Sequence, residues 1–142
     1  MHTARSQSSC CVFDENLIYI FGGYNKEIGT LDSIEKYEID KQVMSVIKVK
    51  MPTPLRRFVS IKISTTKILL IGGLQKKGRG SDSVYCLDLE SDHRIEKLDK
   101  IDTAGVVDML LVDTVGNIHL FVEKDAGTAP PEDITYSFLE YS

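Results

Sequence analysis

An apolar run closed by two glycines occurs twice in this chain, fifty residues apart. The first copy reads Ile18-Tyr19-Ile20-Phe21-Gly22-Gly23 and the second Ile68-Leu69-Leu70-Ile71-Gly72-Gly73. Fifty residues further, Ile118-His119-Leu120-Phe121-Val122-Glu123 keeps the apolar run and loses the glycines. The flanks repeat in the same register. Asp32-Ser33-Ile34-Glu35-Lys36-Tyr37-Glu38-Ile39 is matched by Asp82-Ser83-Val84-Tyr85-Cys86-Leu87-Asp88-Leu89, and then by Glu132-Asp133-Ile134-Thr135-Tyr136-Ser137-Phe138-Leu139. Upstream, Cys10-Cys11-Val12-Phe13 lines up with Ser60-Ile61-Lys62-Ile63 and Leu110-Leu111-Val112-Asp113, and no gap is needed. A hairpin corner in an unrelated sandwich explains one glycine pair, but not two with matching flanks. A period of this length indicates a repeat architecture in which each copy is one supersecondary unit.

Each copy divides into short runs rich in β-branched and aromatic residues, separated by turn residues. In the first copy the strands are expected over 10–13, 17–21, 33–39 and 43–49; in the second, over 59–63, 67–71, 83–89 and 94–98. No segment carries the three-to-four spacing of an amphipathic helix. The chain is therefore expected to be all-β. A four-stranded meander has two faces and cannot bury both alone, so copies must stack, and four strands per unit favours propeller blades over a solenoid.

At this point the residues resemble a known family. A strand ending in Gly22-Gly23, then Tyr37, Met44, Met51-Pro52 and Arg56-Arg57 is similar to the kelch repeat. In the second copy Gly72-Gly73 fill the glycine slots and Leu87 the tyrosine slot. The family's tryptophan is replaced by Met44 and then by Arg94, since the chain has no tryptophan. The resemblance implies an all-β partial propeller of four-stranded antiparallel blades at roughly 5–54, 55–104 and 105–142, forming a single domain whose last blade is incomplete. It also implies a protein-interaction module, of the kind found in ubiquitin-ligase substrate receptors and actin scaffolds, without catalysis or cofactor. A structural arc that completes a ring or docks in a larger assembly is the second reading, and an oxidase-like enzyme ranks third.

Composition narrows the partners. With 17 Lys and Arg against 21 Asp and Glu, the formal net charge is −4, which disfavours non-specific nucleic-acid binding. No apolar stretch approaches the roughly 20 residues that span a bilayer, and the first residues lack the apolar core of a secretory signal. Three cysteines, Cys10, Cys11 and the distant Cys86, fit a reducing, cytoplasmic setting better than a disulfide framework. Cys10 and Cys11 are expected to be buried, inert thiols on an inner strand.

Candidate chemistry is sparse. Gly73-Leu74-Gln75-Lys76-Lys77-Gly78-Arg79-Gly80 has the outline of a phosphate-binding loop, but Arg79 and Gly80 stand where Lys and Ser or Thr are needed. His2, His93 and His119 have no metal-ligand spacing, and His119, in the slot of Tyr19 and Leu69, is expected to pack within its strand. Recognition is expected instead in the loops at 24–31, 74–81 and 124–131 and between blades at 51–58. Arg56, Arg57, Lys76, Lys77 and Arg79 would crowd one sector of that face, able to grip an acidic peptide. The third loop is acidic. The arc is also expected to expose apolar faces, including parts of 110–112 and 118–122, and so to self-associate or be completed by further blades.

Overall fold

The computed structural model describes residues 2–90, 93–101, 104–123 and 132–137. The first sheet is formed by β1 (Ser9–Val12), β2 (Leu17–Phe21), β5 (Ser33–Glu38) and β6 (Val43–Lys50), in that spatial order and antiparallel throughout. Between its second and third strands, β3 (Tyr24–Asn25) and β4 (Gly29–Thr30) form a small separate hairpin. The second sheet repeats the meander with β7 (Val59–Lys62), β8 (Lys67–Ile71), β9 (Ser83–Asp88) and β10 (Arg94–Lys100). The third is built of β11 (Val106–Val112), β12 (Asn117–Glu123) and β13 (Glu132–Ser137). The expected strands are all present in these two full blades, shifted by a residue or two at their ends.

The core lies between blades. Phe21 and Ile34 of blade 1 pack with Ile68, Leu70 and Leu87 of blade 2, all of them fully buried. The opposite face of blade 2, Leu69, Ile71 and Val84, packs with Ile118, Leu120 and Val122 of blade 3. Side chains alternate across a strand, so each blade buries one residue set against each neighbour. A fully buried Leu, Ile or Phe contributes about 1.5–3 kcal/mol, and the stacked faces thus supply most of the stability. The expectation that 118–122 lies exposed is corrected: Ile118, Leu120 and Val122 are buried against blade 2, and exposure falls on Leu111 and Val112.

The glycine pairs fix how the blades meet. Gly22 and Gly72 have φ of 52° and 70°, and Gly23 and Gly73 have φ of 102° and 96°. A Cβ on Gly22 would stand 2.4 Å from the Leu55 carbonyl oxygen, and one on Gly73 2.8 Å from that of Arg56. The Gly23 N–H donates to Leu55 O at 2.8 Å, and the Gly73 N–H donates to Gly105 O at the same distance. Leu55 and Gly105 are fifty residues apart, so the two junctions are one device used twice. Blade 3 has Val122 and Glu123 in these slots, and its strand β12 continues through them to pair Val106 with Glu123.

One equivalence read from the sequence needs correction. Tyr37 pairs with Met44, but its counterpart Leu87 pairs with Ile95, not with Arg94. The turn between β9 and β10 is one residue longer than that between β5 and β6. The difference is cancelled by the bulges that follow: Ser33 pairs with Lys50, and Ser83 with Lys100. Ile95 therefore packs on the core beside Leu87, while Arg94 is exposed and ion-paired with Glu96 at 2.8 Å.

Candidate interaction cleft between the first two blades

The loop at 24–31 begins at the glycine pair and is held at both ends. Tyr24 and Ser6 exchange backbone hydrogen bonds of 2.7 and 2.9 Å. The Asn25 carboxamide oxygen accepts from the Glu27 and Ile28 N–H groups at 2.9 and 3.0 Å, while its Nδ2 donates to Ala4 O at 2.8 Å. This Asx turn fixes the hairpin tip and presents Ile28 to solvent. In blade 2 the equivalent loop tightens into a short 3-10 turn at Lys76–Gly78, with Lys77 at φ 61° and a Gln75 N–H to Arg79 O bond of 2.8 Å.

The two loops and the inter-blade segment enclose an open cleft of about 420 Å³, lined among others by Tyr24, Ile28, Arg56, Lys76 and Lys77. Arg56 is the best-anchored cation. Its Nη1 donates to Gln7 Oε1 at 2.9 Å, and its guanidinium lies 5.3 Å from the Tyr24 ring centroid. Lys76, Lys77 and Arg79 are exposed. Gly29 and Gly78 line opposite walls, at φ 91° and 76°, with open space where a Cβ would project. Bare backbone on both walls admits close approach by a ligand main chain.

Of the five cations expected in this sector, the cleft brings Arg56, Lys76 and Lys77 together, and Arg79 follows in the same loop. Arg57 goes elsewhere. Its Nη2 reaches Glu123 Oε2 of blade 3 at 3.4 Å, and this ion pair joins the second junction. Glu123 occupies a lost glycine slot, so the pairing could not be read from the repeat pattern. The acidic third loop, 124–131, lies outside the described residues.

Two further expectations are revised. Cys10 is exposed while Cys11 is buried, because consecutive strand residues face opposite sides. Burial raises the pKa of Cys11 and of Cys86, leaving both as protonated thiols. His119 does not simply pack: it is half-buried, and its Nε2 lies 3.1 Å from Asp113 Oδ2. The Asn117 side chain first, and His119 second, hold the Asp113 carboxyl well below the usual carboxylate range. Among the described residues no group of three or more His, Cys, Asp and Glu is placed to hold a metal ion.

The sequence reading missed a buried pair at the edge of the first blade. Arg5 Nη2 meets Glu35 Oε2 at 3.3 Å with both side chains fully buried, and Arg5 Nη1 donates to Gly22 O at 2.9 Å. The His2 N–H also donates to Glu35 Oε1 at 2.7 Å. Fifty residues on, the same positions are Leu55 and Tyr85, both in the core between blades 1 and 2. The sequence signal was faint, because Glu35 shares its strand with Lys36 and Glu38 and is set apart only by its apolar repeat-equivalent Tyr85.

Residues 4–43 match the family model of the Kelch motif. No curated protein matches the chain. The matched segment holds Gly22, Gly23 and Tyr37 and ends at Val43, where β6 begins, and blade 2 reproduces its hydrogen-bonded frame. The chain thus carries a Kelch motif, and its described residues form antiparallel sheets that correspond to blades of a partial β-propeller.

Proposed function

We propose that this chain is a non-catalytic, cytoplasmic protein-interaction module that captures an acidic peptide segment of a partner in the cleft between blades 1 and 2. It works as a single partial propeller whose blades run over 5–54, 55–104 and 105–142. The observation that carries the reading is the convergence of Arg56, Lys76 and Lys77, from two separate segments, on one cleft. Arg79, exposed at the end of the same loop, extends the basic margin. Charge-assisted hydrogen bonds to a carboxylate contribute about 1.5–3 kcal/mol each, and Arg56, held over Tyr24, is preorganised to make them. Three free thiols suit a reducing compartment. The chain's net charge of −4 argues against nucleic acid as the partner.

The test is capture of an immobilised glutamate-rich peptide by the full chain. Replacing Lys76, Lys77 and Arg79 together by Glu is expected to abolish capture, and raising salt to weaken it in the wild type. Undiminished capture by the triple variant would remove this surface from consideration.

A second reading, that the arc associates with further blades or with its own copies, is favoured by exposed aliphatic side chains on the outward blade faces. Val12 of blade 1 is 65% exposed and Leu111 of blade 3 is 51% exposed. Both point away from blade 2.

A further inference from the structure

The cleft is two-sided in its chemistry. Its blade 2 wall is cationic, from Lys76 and Lys77, while its blade 1 wall carries Ile28 and the Tyr24 ring. Ile28 is 64% exposed, and a lone exposed isoleucine would need no explanation. Ile28 differs in being pinned at the rim of a basic cleft. The Asn25 oxygen fixes the Ile28 N–H, Gly29 follows at φ 91°, and the Asn25 amide ties the hairpin to Ala4. A backbone so held need not be ordered on contact, so an apolar neighbour would gain most of the burial energy.

We propose that the cleft selects a bipartite peptide, an acidic residue with a bulky aliphatic or aromatic residue beside it. The peptide crosses the junction with its carboxylate over Lys76, Lys77 and Arg56 and its apolar side chain against Ile28 and Tyr24. Bare backbone at Gly29 and Gly78 leaves room for the ligand main chain between the two walls. Charge supplies attraction and the isoleucine supplies choice, because attraction to cations alone does not discriminate among acidic sequences.

This inference rests on the acidic-peptide reading, and the experiment separates the two. Two fluorescent peptides are titrated by anisotropy into the full chain. One contains only Glu and Gly; the other has one Gly replaced by Leu. The wild type is expected to bind the Leu peptide about tenfold more tightly, the scale of a partly buried aliphatic group. Ile28→Ser should erase that preference, so that the two peptides bind alike and both remain salt-sensitive. The double change Lys76→Glu, Lys77→Glu should lose both peptides. If Ile28→Ser keeps the preference, or the wild type has none, the bipartite proposal is overturned and the charge reading stands. If neither peptide binds the wild type, both fall. Circular dichroism melts of each variant show whether the fold is retained; Ile28 is exposed, so its truncation should leave the melt unchanged.

Discussion

Arg5 and Glu35 form a buried ion pair whose repeat-equivalent is the contact region of Leu55 and Tyr85. The same site in two blades has thus been filled once by charge and once by apolar packing. Removing one member of a buried pair strands the other, at about 3–5 kcal/mol, whereas an apolar replacement of both is often neutral. Arg5→Ala is therefore expected to lower unfolding free energy by about 3 kcal/mol or more. Arg5→Leu combined with Glu35→Tyr should recover most of that loss, and urea denaturation of the wild type, Arg5→Leu, Glu35→Tyr and their combination measures the coupling as a double-mutant cycle. The glycines offer a second comparison. A Cβ at Gly22 meets the Leu55 backbone oxygen, whereas at Gly72 the nearest atom is a methyl of Val107 that can move. Gly22→Ala should cost more than about 2 kcal/mol, and Gly72→Ala less than Gly22→Ala, since only the second site can relieve its contact without moving backbone.

The hairpin joining the first two strands of each blade is closed by a side-chain oxygen at its tip. Asp14 caps Leu17 in blade 1, Ser64 caps Lys67 in blade 2, and Asp113 caps Asn117 in blade 3, with N···O distances of 2.8, 3.1 and 2.9 Å. Asp113 is distinguished by its depressed pKa, which Asn117 causes first and His119 second. A carboxyl whose native pKa is lowered contributes stability that is fully present above its unfolded value, near 4, and lost as pH falls through the native value. Asp113→Ala should therefore destabilise blade 3 at neutral pH and flatten the loss of stability below about pH 4, as read from urea midpoints across the acid range. At this scale the sequence was largely readable. Alternating apolar residues and glycine-pair spacing located every strand of the two four-stranded sheets within a residue or two, while the short β3–β4 hairpin was read as a loop. Side-chain partnerships across elements were not readable: Arg57 with Glu123, and His119 with Asp113, depend on strands that diverge from the repeat. The extra residue in the β9–β10 turn was invisible for another reason. A shorter bulge compensates for it, so the fifty-residue register is restored by Lys100 and the offset at Ile95 leaves no gap to find. The basic sector was legible as a loop cluster, but its division into cleft-lining and junction-forming cations was not.

Across the whole molecule, the repeated junction determines what an unpaired blade face can do. Blades 1 and 2 meet through the Arg57 N–H to Gln7 O bond, and blades 2 and 3 through the Val107 N–H to Arg57 O bond, at 2.9 and 3.3 Å. Each junction also buries an apolar face on either side. The outward faces retain the same alternation, with Val12 and Leu111 in positions that neighbouring blades cover elsewhere in the stack: Val12 corresponds to Lys62, whose Nζ lies 4.7 Å from the Phe13 ring centroid. Two outward faces on one body make a head-to-tail contact available, and such a contact closes only if the accumulated rotation does so. The 142-residue chain by itself is expected to self-associate with rising concentration, seen as an increase in weight-average mass by light scattering. Val12→Lys and Leu111→Lys should each shift it toward monomer, and together should do no more than either alone if one heterologous interface is responsible. Loss of association without loss of peptide capture would place the two surfaces on different faces. A monodisperse monomer with a cooperative melt at all concentrations would instead show that the outward faces are stable uncovered, and would overturn self-association while leaving the proposed cleft between blades 1 and 2 to be judged by peptide capture.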